Sequence, residues 1–254
     1  MKLIKTLINS LAMKGRKLLR FAGVPLDLEP NEHDVLVPIC HLRPYNLPDI
    51  QKHLLSLKAN DRYLRFGYAA SDEHITHYVQ SLNFERDEIY GIFNRDLQLL
   101  AMAHLAIYDD VNPAEQKQIS AEFGVSVHAS ARGRGYGYQL FKRALMHARN
   151  ANASTILIHA LSENAPMIKI ARKAGATLER DGGETQALLK VPKGNFKTRL
   201  AEVFTDQYAQ TNYSIKEDVK NFWYFLMQVQ EIRRGVQAGR HQSCLLYTSP
   251  SPRD

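Results

Sequence analysis

One continuous stretch decides the fold: Ala121-Glu-Phe-Gly-Val-Ser-Val-His-Ala-Ser-Ala-Arg-Gly-Arg-Gly-Tyr-Gly137, followed by Tyr138-Gln-Leu-Phe-Lys-Arg-Ala-Leu-Met-His-Ala-Arg149. Alternating side chains predict a strand over 119–127, and the later residues predict a helix over 135–149. Between them lies a turn rich in glycine and arginine. Glycines at a helix N-terminus leave main-chain N–H groups exposed, and such groups bind phosphate.

Two common phosphate-binding motifs do not fit these glycines. A P-loop needs Lys followed by Ser or Thr directly after its last glycine, and neither follows here. A dinucleotide fingerprint needs Gly or Ala three positions after Gly137, where this chain has Leu140. The residues present therefore exclude both motifs.

The spacing Arg132-x-x-Gly135-x-Gly137 resembles the (Q/R)xxGx(G/A) pyrophosphate loop of the GNAT acyltransferases. An asparagine, Asn164, stands at the start of the helix after the next strand, where this family often has one. The resemblance implies an α/β fold with a GNAT-type mixed central sheet flanked by helices.

The resemblance follows the order of the predicted elements from Val35 to about Val191. Within the superfamily, three segments are similar to the acetyltransferase domain of bacterial protein-lysine acetyltransferases. These segments are 62–66 (Arg-Tyr-Leu-Arg-Phe), 121–127, and 163–175, which contains Asn164.

The same resemblance implies acetyl-CoA as co-substrate, and no metal is expected. The backbone of Val125, Ser126 and Val127 would pair with the pantetheine arm, and Asn164 would contact the cofactor from the side. The pyrophosphate would be wrapped by Arg132, Gly133, Arg134, Gly135, Tyr136 and Gly137.

Glu122 is the candidate catalytic residue. Side chains alternate along a strand, so Glu122, Gly124 and Ser126 share a small, polar face suited to a reaction cleft. A lysine-like amine is neutral in only ~0.04% of molecules at pH 7, so a positioned base that removes its proton helps the reaction. The protein-acetyltransferase branch has a carboxylate at this position. The alternative is a structural Glu122 that pairs with an arginine or faces solvent.

The general acid expected in the family is missing. Many members have a tyrosine in the helix after the asparagine, where alignment on Asn164 places Ala171. A CoA-type thiol with a pKa of about 8.5 is a fair leaving group without an acid. Tyr90 and Tyr108 stay open as acids supplied from elsewhere.

The rest of the chain predicts one α/β domain over residues 35–192. Ser71 is a suitable N-cap for one of its helices. The predicted strands are 33–40, 89–93, 97–108, 119–127, 155–161, 177–180 and 185–191, and the predicted helices are 46–57, 71–82, 135–149 and 166–174.

Three further segments flank this domain. Residues 1–34 are a basic amphipathic leader, which predicts an N-terminal helix, and a linker. Residues 193–243 are a C-terminal helical extension, within which the capping-box pattern Ser214-Ile-Lys-Glu217 predicts a helix start. Residues 244–254 can be encoded by a DNA string that resembles a transposon-end sequencing adapter, and we interpret them as read-through.

The charge distribution bears on the partners. The net charge is +7, but residues 1–20 hold six basic and no acidic residues, so the remaining chain is nearly neutral. The overall positive charge therefore does not indicate a fold that binds nucleic acid, and no nucleic-acid partner is expected. For residues 1–21, packing on the domain or a poorly ordered leader is favoured over weak contact with an anionic membrane surface. The apolar stripes of 193–243 favour core packing over a homodimer surface.

Composition and cysteine usage complete the prediction. A chain with 44% hydrophobic and 23% charged residues is globular and not largely disordered. Cys40 and Cys244 provide no disulfide framework, which favours the cytoplasm. We therefore predict an N-acetyltransferase that moves an acetyl group to a primary amine, either a protein lysine or a small molecule. Direct attack in a ternary complex is expected, and a non-catalytic acyl-CoA-binding regulatory module is the alternative.

Overall fold

The computed structural model of the chain describes residues 37–110, 118–194 and 196–246. The predicted leader and its basic helix lie outside these residues, as does most of the predicted adapter segment. The described part divides into two compact units, with the boundary between Tyr213 and Ser214.

The first unit is built on a mixed seven-stranded sheet in the order β1-β2-β3-β4-β5-β7-β6. Only β4 and β5 pair in parallel, and every other neighbouring pair is antiparallel. This confirms the predicted mixed α/β architecture. The strands are β1 (Cys40–His41), β2 (Glu88–Phe93), β3 (Leu99–Asp110), β4 (Gln118–Val127), β5 (Thr155–Leu161), β6 (Thr177–Asp181) and β7 (Glu184–Lys190).

Helices cover both faces of the sheet because the strands alternate apolar side chains between two cores. On one face Met102 packs with residues of the first and third helices, and on the other Phe123 packs with Phe141 of the fourth. The helices are α1 (Leu47–Leu55), α2 (Ala59–Phe66), α3 (Asp72–Gln80), α4 (Tyr136–Asn150), α5 (Ala165–Lys173) and α6 (Phe196–Leu246).

Local signals placed several elements correctly. The Ser71 side chain accepts a hydrogen bond from the His74 N–H at 3.3 Å and caps α3, as predicted. The ends of β4, α4 and β5 differ from the predicted ends by a residue or less.

Two predictions were wrong and one helix was missed. The strand predicted over 33–40 is absent at residues 37–39, where Pro38 lacks an N–H group, and β1 begins at Cys40; residues 33–36 lie outside the described part of the chain. The short helix α2 was not predicted. Ser214 does not begin a helix, because α6 runs unbroken through it.

A buried charge network fastens the first turns of α6 to α4. Arg143 donates to Glu202 at 2.9 Å and to Asp206 at 2.7 Å, and its guanidinium lies 4.5 Å from the centre of the Tyr90 ring. His147 contacts the same Glu202 carboxylate at 2.8 Å. Because Arg143 is almost fully buried, the two carboxylates of α6 supply the charge that it needs inside the fold.

The network predicts how the stability of this unit depends on pH. Burial opposes ionisation of Glu202, but hydrogen bonds from His147 and Asn150 and the charge of Arg143 lower its pKa from 4.5 to about 2. Its contribution is therefore present above pH 4.5 and is lost as the pH falls towards 2. Burial lowers the pKa of His147, but its bond to Glu202, together with the negative charges of Glu88 and Glu202, outweighs this and raises the pKa above 6.5.

The His147 contribution is fully present below pH 6.5 and is lost as the pH rises through the raised value. We expect the stabilisation from this network to be greatest between pH 4.5 and 6.5. Urea unfolding of the wild type and of Glu202→Gln across pH 2–9 measures it as the difference between the two curves. A difference that does not change with pH would contradict the assignment.

Candidate active site

The two parallel strands separate in the middle of the sheet. Residues 120–122 of β4 pair with residues 155–157 of β5, and beyond Glu122 the described residues contain no further β4–β5 pair. β4 continues to Val127 and stays paired with β3 over its full length, while β5 continues on β7. Main-chain groups of β4 after Glu122 thus border a gap that a slender, hydrogen-bonding ligand can enter.

A glycine-rich loop lies at the far end of that gap. Gly133 and Gly135 adopt left-handed backbone conformations, with φ of 76° and 75°. Among the described residues, no protein acceptor receives the main-chain N–H groups from Gly133 to Gly137. These groups stand at the N-terminus of the 15-residue helix α4, whose dipole favours an anion.

Close packing holds the loop in place. A Cβ on Gly137 would lie 3.1 Å from Ile170, so the glycine lets α4 approach α5. Arg132 forms an ion pair with Asp61 of α2 at 2.5 Å, and Arg134 donates weakly to the Ser130 carbonyl at 3.4 Å. The loop therefore carries two arginines and a set of free N–H donors, which suits a diphosphate.

The loop predicts the effect of a substitution at Gly135. A Cβ there meets no atom within 4 Å, so the change is tolerated sterically, but a β-branched residue strongly disfavours a φ of 75°. We expect Gly135→Val to turn the neighbouring N–H groups away and to weaken CoA binding by about tenfold or more. Isothermal titration calorimetry with CoA measures this change.

A matched control is available at Gly182, in the turn between β6 and β7. It is also left-handed, with φ of 55°, and has no atom near its Cβ position. We expect Gly182→Val to cost similar stability but to leave CoA affinity unchanged. Equal affinities for Gly135→Val and the wild type would contradict the loop assignment.

The short helix α2 crosses the gap, because it packs against both β4 and β5. Asp61 joins its first turn to the glycine-rich loop. Near its other end, the Leu64 carbonyl accepts a hydrogen bond from the Asn164 side chain at 3.1 Å. Asn164 also caps α5 by accepting from the Met167 N–H. The structure thus places Asn164 beside the gap as a link between α5 and α2, and its predicted contact with the cofactor stays a prediction.

Glu122 lies at the point where the strands separate, on the face of the sheet covered by α1, α2 and α3. Tyr108 stands on the same face of β3, diagonal to Glu122. Burial, together with the negative charge of Glu122, raises the pKa of the Tyr108 hydroxyl. Glu122 makes no ion pair with an arginine among the described residues, and its side chain is only partly buried.

Ser126, on the same face, anchors α1 through its side chain. Its hydroxyl donates to His53 Nε2 at 2.8 Å, because the other ring nitrogen, Nδ1, donates to the Leu99 carbonyl at 3.0 Å. Burial lowers the pKa of His53 to about 4, so the ring is neutral at pH 7. The His128 N–H donates to the Leu100 carbonyl at 2.8 Å, so the alternate residue Ser126 directs its main-chain groups to β3, whereas those of Val125 and Val127 face the gap. The contacts predicted for these three residues with the cofactor stay predictions.

A hydrogen-bonded chain that the sequence did not indicate lies beside Glu122. Arg65 Nη2 donates to the Tyr78 hydroxyl at 3.0 Å, and that hydroxyl donates to His104 Nδ1 at 2.8 Å. His104 Nε2 in turn donates to the Asp87 carboxylate at 3.0 Å. Its members come from α2, α3, β3 and the segment before β2, so only the folded chain brings them together.

The tyrosines that could act as the general acid lie on different faces of the sheet. Tyr90 is fully buried on the opposite face, against Arg143, and therefore lies away from Glu122. Tyr108 and Tyr78 lie on the Glu122 face, and burial raises the pKa of both hydroxyls. Ala171, at the position of the family's usual acid, is buried in the core.

No group of three or more His, Cys, Asp or Glu side chains that could hold a metal occurs within the described residues. Within the same residues, no helix is both long and apolar enough to cross a membrane.

The fold is similar to solved acetyltransferase structures. The GNAT domain of PAT from S. lividans is 18% identical, with a TM-score of 0.51, over 64% of this chain and 99% of that one. A putative acetyltransferase from Acinetobacter baylyi is 16% identical, with a TM-score of 0.50, over 61% of this chain and 93% of that one. A spermidine N-acetyltransferase from Vibrio cholerae was solved with CoA and spermine. It is 16% identical, with a TM-score of 0.47, over 62% of this chain and 96% of that one.

The sequence itself matches a family model, described as the acetyltransferase (GNAT) domain, over residues 40–177. That range includes the separating strands, the glycine-rich loop and Glu122. The chain therefore belongs to the GNAT acetyltransferase family and is an enzyme of the acyltransferase class.

Proposed function

We propose that this protein transfers an acetyl group from acetyl-CoA to a primary amine by direct attack within a ternary complex. One observation carries the proposal. The parallel pairing of β4 and β5 stops at the one carboxylate on the cleft face of β4, so the gap begins beside a candidate base. The same gap ends at a loop of free N–H donors suited to a diphosphate.

The proposed binding mode follows the gap from end to end. The diphosphate would lie against the main-chain N–H groups of Gly133 to Gly137 and the α4 N-terminus. The pantetheine arm would then add to the free edge of β4 at Val125, Ser126 and Val127, as an extended chain adds to a sheet edge. This places the thioester towards Glu122 and away from the loop.

Glu122 would act as the general base. The amine nitrogen bonds to the thioester carbon, the carbon–sulfur bond breaks, and the proton lost by nitrogen passes to the Glu122 carboxylate, directly or through one water. The Tyr108 hydroxyl, on the same face of the sheet, would orient the carboxylate. The thiolate leaves and takes up a proton from solvent or from a tyrosine on this face. Tyr108 and Tyr78 are the candidates there.

The test is a thiol-release assay with acetyl-CoA and a broad panel of amines, together with mass spectrometry of an acetylated lysate. The proposal expects CoA release that depends on the amine and an acetylated product. A protein that binds CoA but releases none with any amine or in any lysate would support the regulatory alternative instead.

A further inference from the structure

We propose that the acceptor carries a carboxylate close to its reactive amine and that Arg65 binds it. This inference rests on the proposed function and names the class of acceptor that the site takes. It starts from Arg65, which has no carboxylate partner within the described part of the chain.

The position of Arg65 is fixed by the glycine beneath it. A Cβ added to Gly124 would lie 2.8 Å from Cζ, Nη1 and Nη2 of Arg65, so the guanidinium lies flat across this strand residue. Gly124 is on the same face of β4 as Glu122. Arg65 is therefore at the cleft, beside the candidate base, and not on the outer surface of α2.

Aromatic rings also hold the guanidinium in place. Its Cζ lies 5.2 Å from the centre of the Phe66 ring and 5.6 Å from that of Tyr78, at cation–π distances. The bond from Nη2 to the Tyr78 hydroxyl fixes its rotation. A guanidinium fixed in this way loses little further freedom when it binds an anion, which favours recognition.

The charge of Arg65 lacks a carboxylate partner among the described residues. Its Nε is buried and has no hydrogen-bond partner, and it forms no ion pair. Asp87, at the far end of the hydrogen-bonded chain, contacts Arg86 and His104 instead. A buried donor and a buried charge both cost free energy unless a partner is supplied, and here a ligand can supply it.

A carboxylate on the acceptor suits this position best. Glu122 and Gly124 are alternate residues of a strand and are therefore roughly 6.6 Å apart. Because Arg65 lies over Gly124, this is also the approximate distance between an amine at Glu122 and an anion at Arg65. An amine and a carboxylate separated by a few bonds span that distance. The planar, singly charged guanidinium matches a planar, singly charged carboxylate.

The experiment compares acceptors that differ in one carboxylate. Glycine, β-alanine and 4-aminobutyrate are each paired with their carboxamide, and a peptide containing Lys-Glu is paired with one containing Lys-Gln. Values of kcat/KM are compared at equal concentrations of neutral amine. We expect the wild type to prefer the carboxylate member of at least one pair by about tenfold or more.

Two variants assign that preference to Arg65. Arg65→Met removes the charge and should reduce the ratio to about one, whereas Arg65→Lys should retain part of it. Gly124→Ala leaves the charge but displaces the guanidinium from this position, and should also lower the ratio. Arg95→Met, at an exposed turn, is the control and should leave the ratio unchanged. CoA titration of each variant checks that it is folded.

The outcomes separate this inference from the proposed function. Turnover with no carboxylate preference in the wild type, or equal losses for both members of a pair in Arg65→Met, overturns the role of Arg65 and leaves the acetyltransferase proposal standing. CoA binding without turnover of any acceptor overturns the proposed function and this inference with it.

Discussion

We expect Glu122→Gln to lower kcat by roughly 10²- to 10⁴-fold, because a positioned base contributes about that much to such a reaction. The amide keeps the size of the side chain, but it cannot accept the proton of the amine. CoA affinity should not change, since Glu122 lies where β4 leaves β5 and not in the glycine-rich loop. Steady-state kinetics and CoA titration measure the two effects separately.

The matched control is Glu179→Gln, which makes the same change on an exposed residue of β6. It should leave both kcat and CoA affinity at their wild-type values. If Glu122→Gln kept its turnover, Glu122 would have no part in proton transfer. If it lost CoA affinity in proportion to activity, its role would be structural.

The second large effect is expected in stability and not in catalysis. Arg143→Met leaves the Glu202 and Asp206 carboxylates facing a side chain that can neither donate nor carry charge. Breaking a buried ion pair by removing one partner costs about 3–5 kcal/mol. For a unit of this size, that corresponds to a fall in Tm on the order of 10 °C. Differential scanning calorimetry measures it.

Two further variants define the origin of that loss. Arg172→Met, on the exposed side of α5, should change the free energy of unfolding by no more than about 0.5 kcal/mol. Adding Glu202→Gln to Arg143→Met should recover part of the loss, because it removes one of the stranded charges. A double variant as unstable as the sum of the two single variants would show that the two residues do not interact.

The sequence was sufficient to predict those elements whose structure is determined by residues close together in the chain. The alternation of β4, the glycines before α4 and the serine cap of α3 each depend on neighbouring residues, and each was predicted. The helix α2 was missed because it is only eight residues long and none of its residues is buried, so its apolar pattern is too short to stand out. The capping-box pattern at Ser214 wrongly predicted a helix start, because Ser and Glu are also tolerated inside a helix when nothing around them ends it.

The candidate site was predictable only in part. Glu122 and the loop could be named because the motif that carries them is continuous in sequence. The chain of hydrogen bonds from Arg65 to Asp87 could not, since each member reads alone as an ordinary surface or core residue. The position of this chain beside the site depends on the pairing of β3 with β4, which brings His104 opposite Gly124. A gap between two strands is likewise a property of register, which composition does not encode.

The junction between α4 and α6 has a practical consequence for anyone who shortens this protein. A fragment cut at residue 192, where the sequence suggests that the catalytic domain ends, would discard Glu202 and Asp206 and strand Arg143 in an apolar interior. The Tyr213 ring, which packs 5.1 Å from Phe93, would be discarded as well. A truncation that retains residues through Tyr213 preserves all of these partners and is the better starting point for crystallisation.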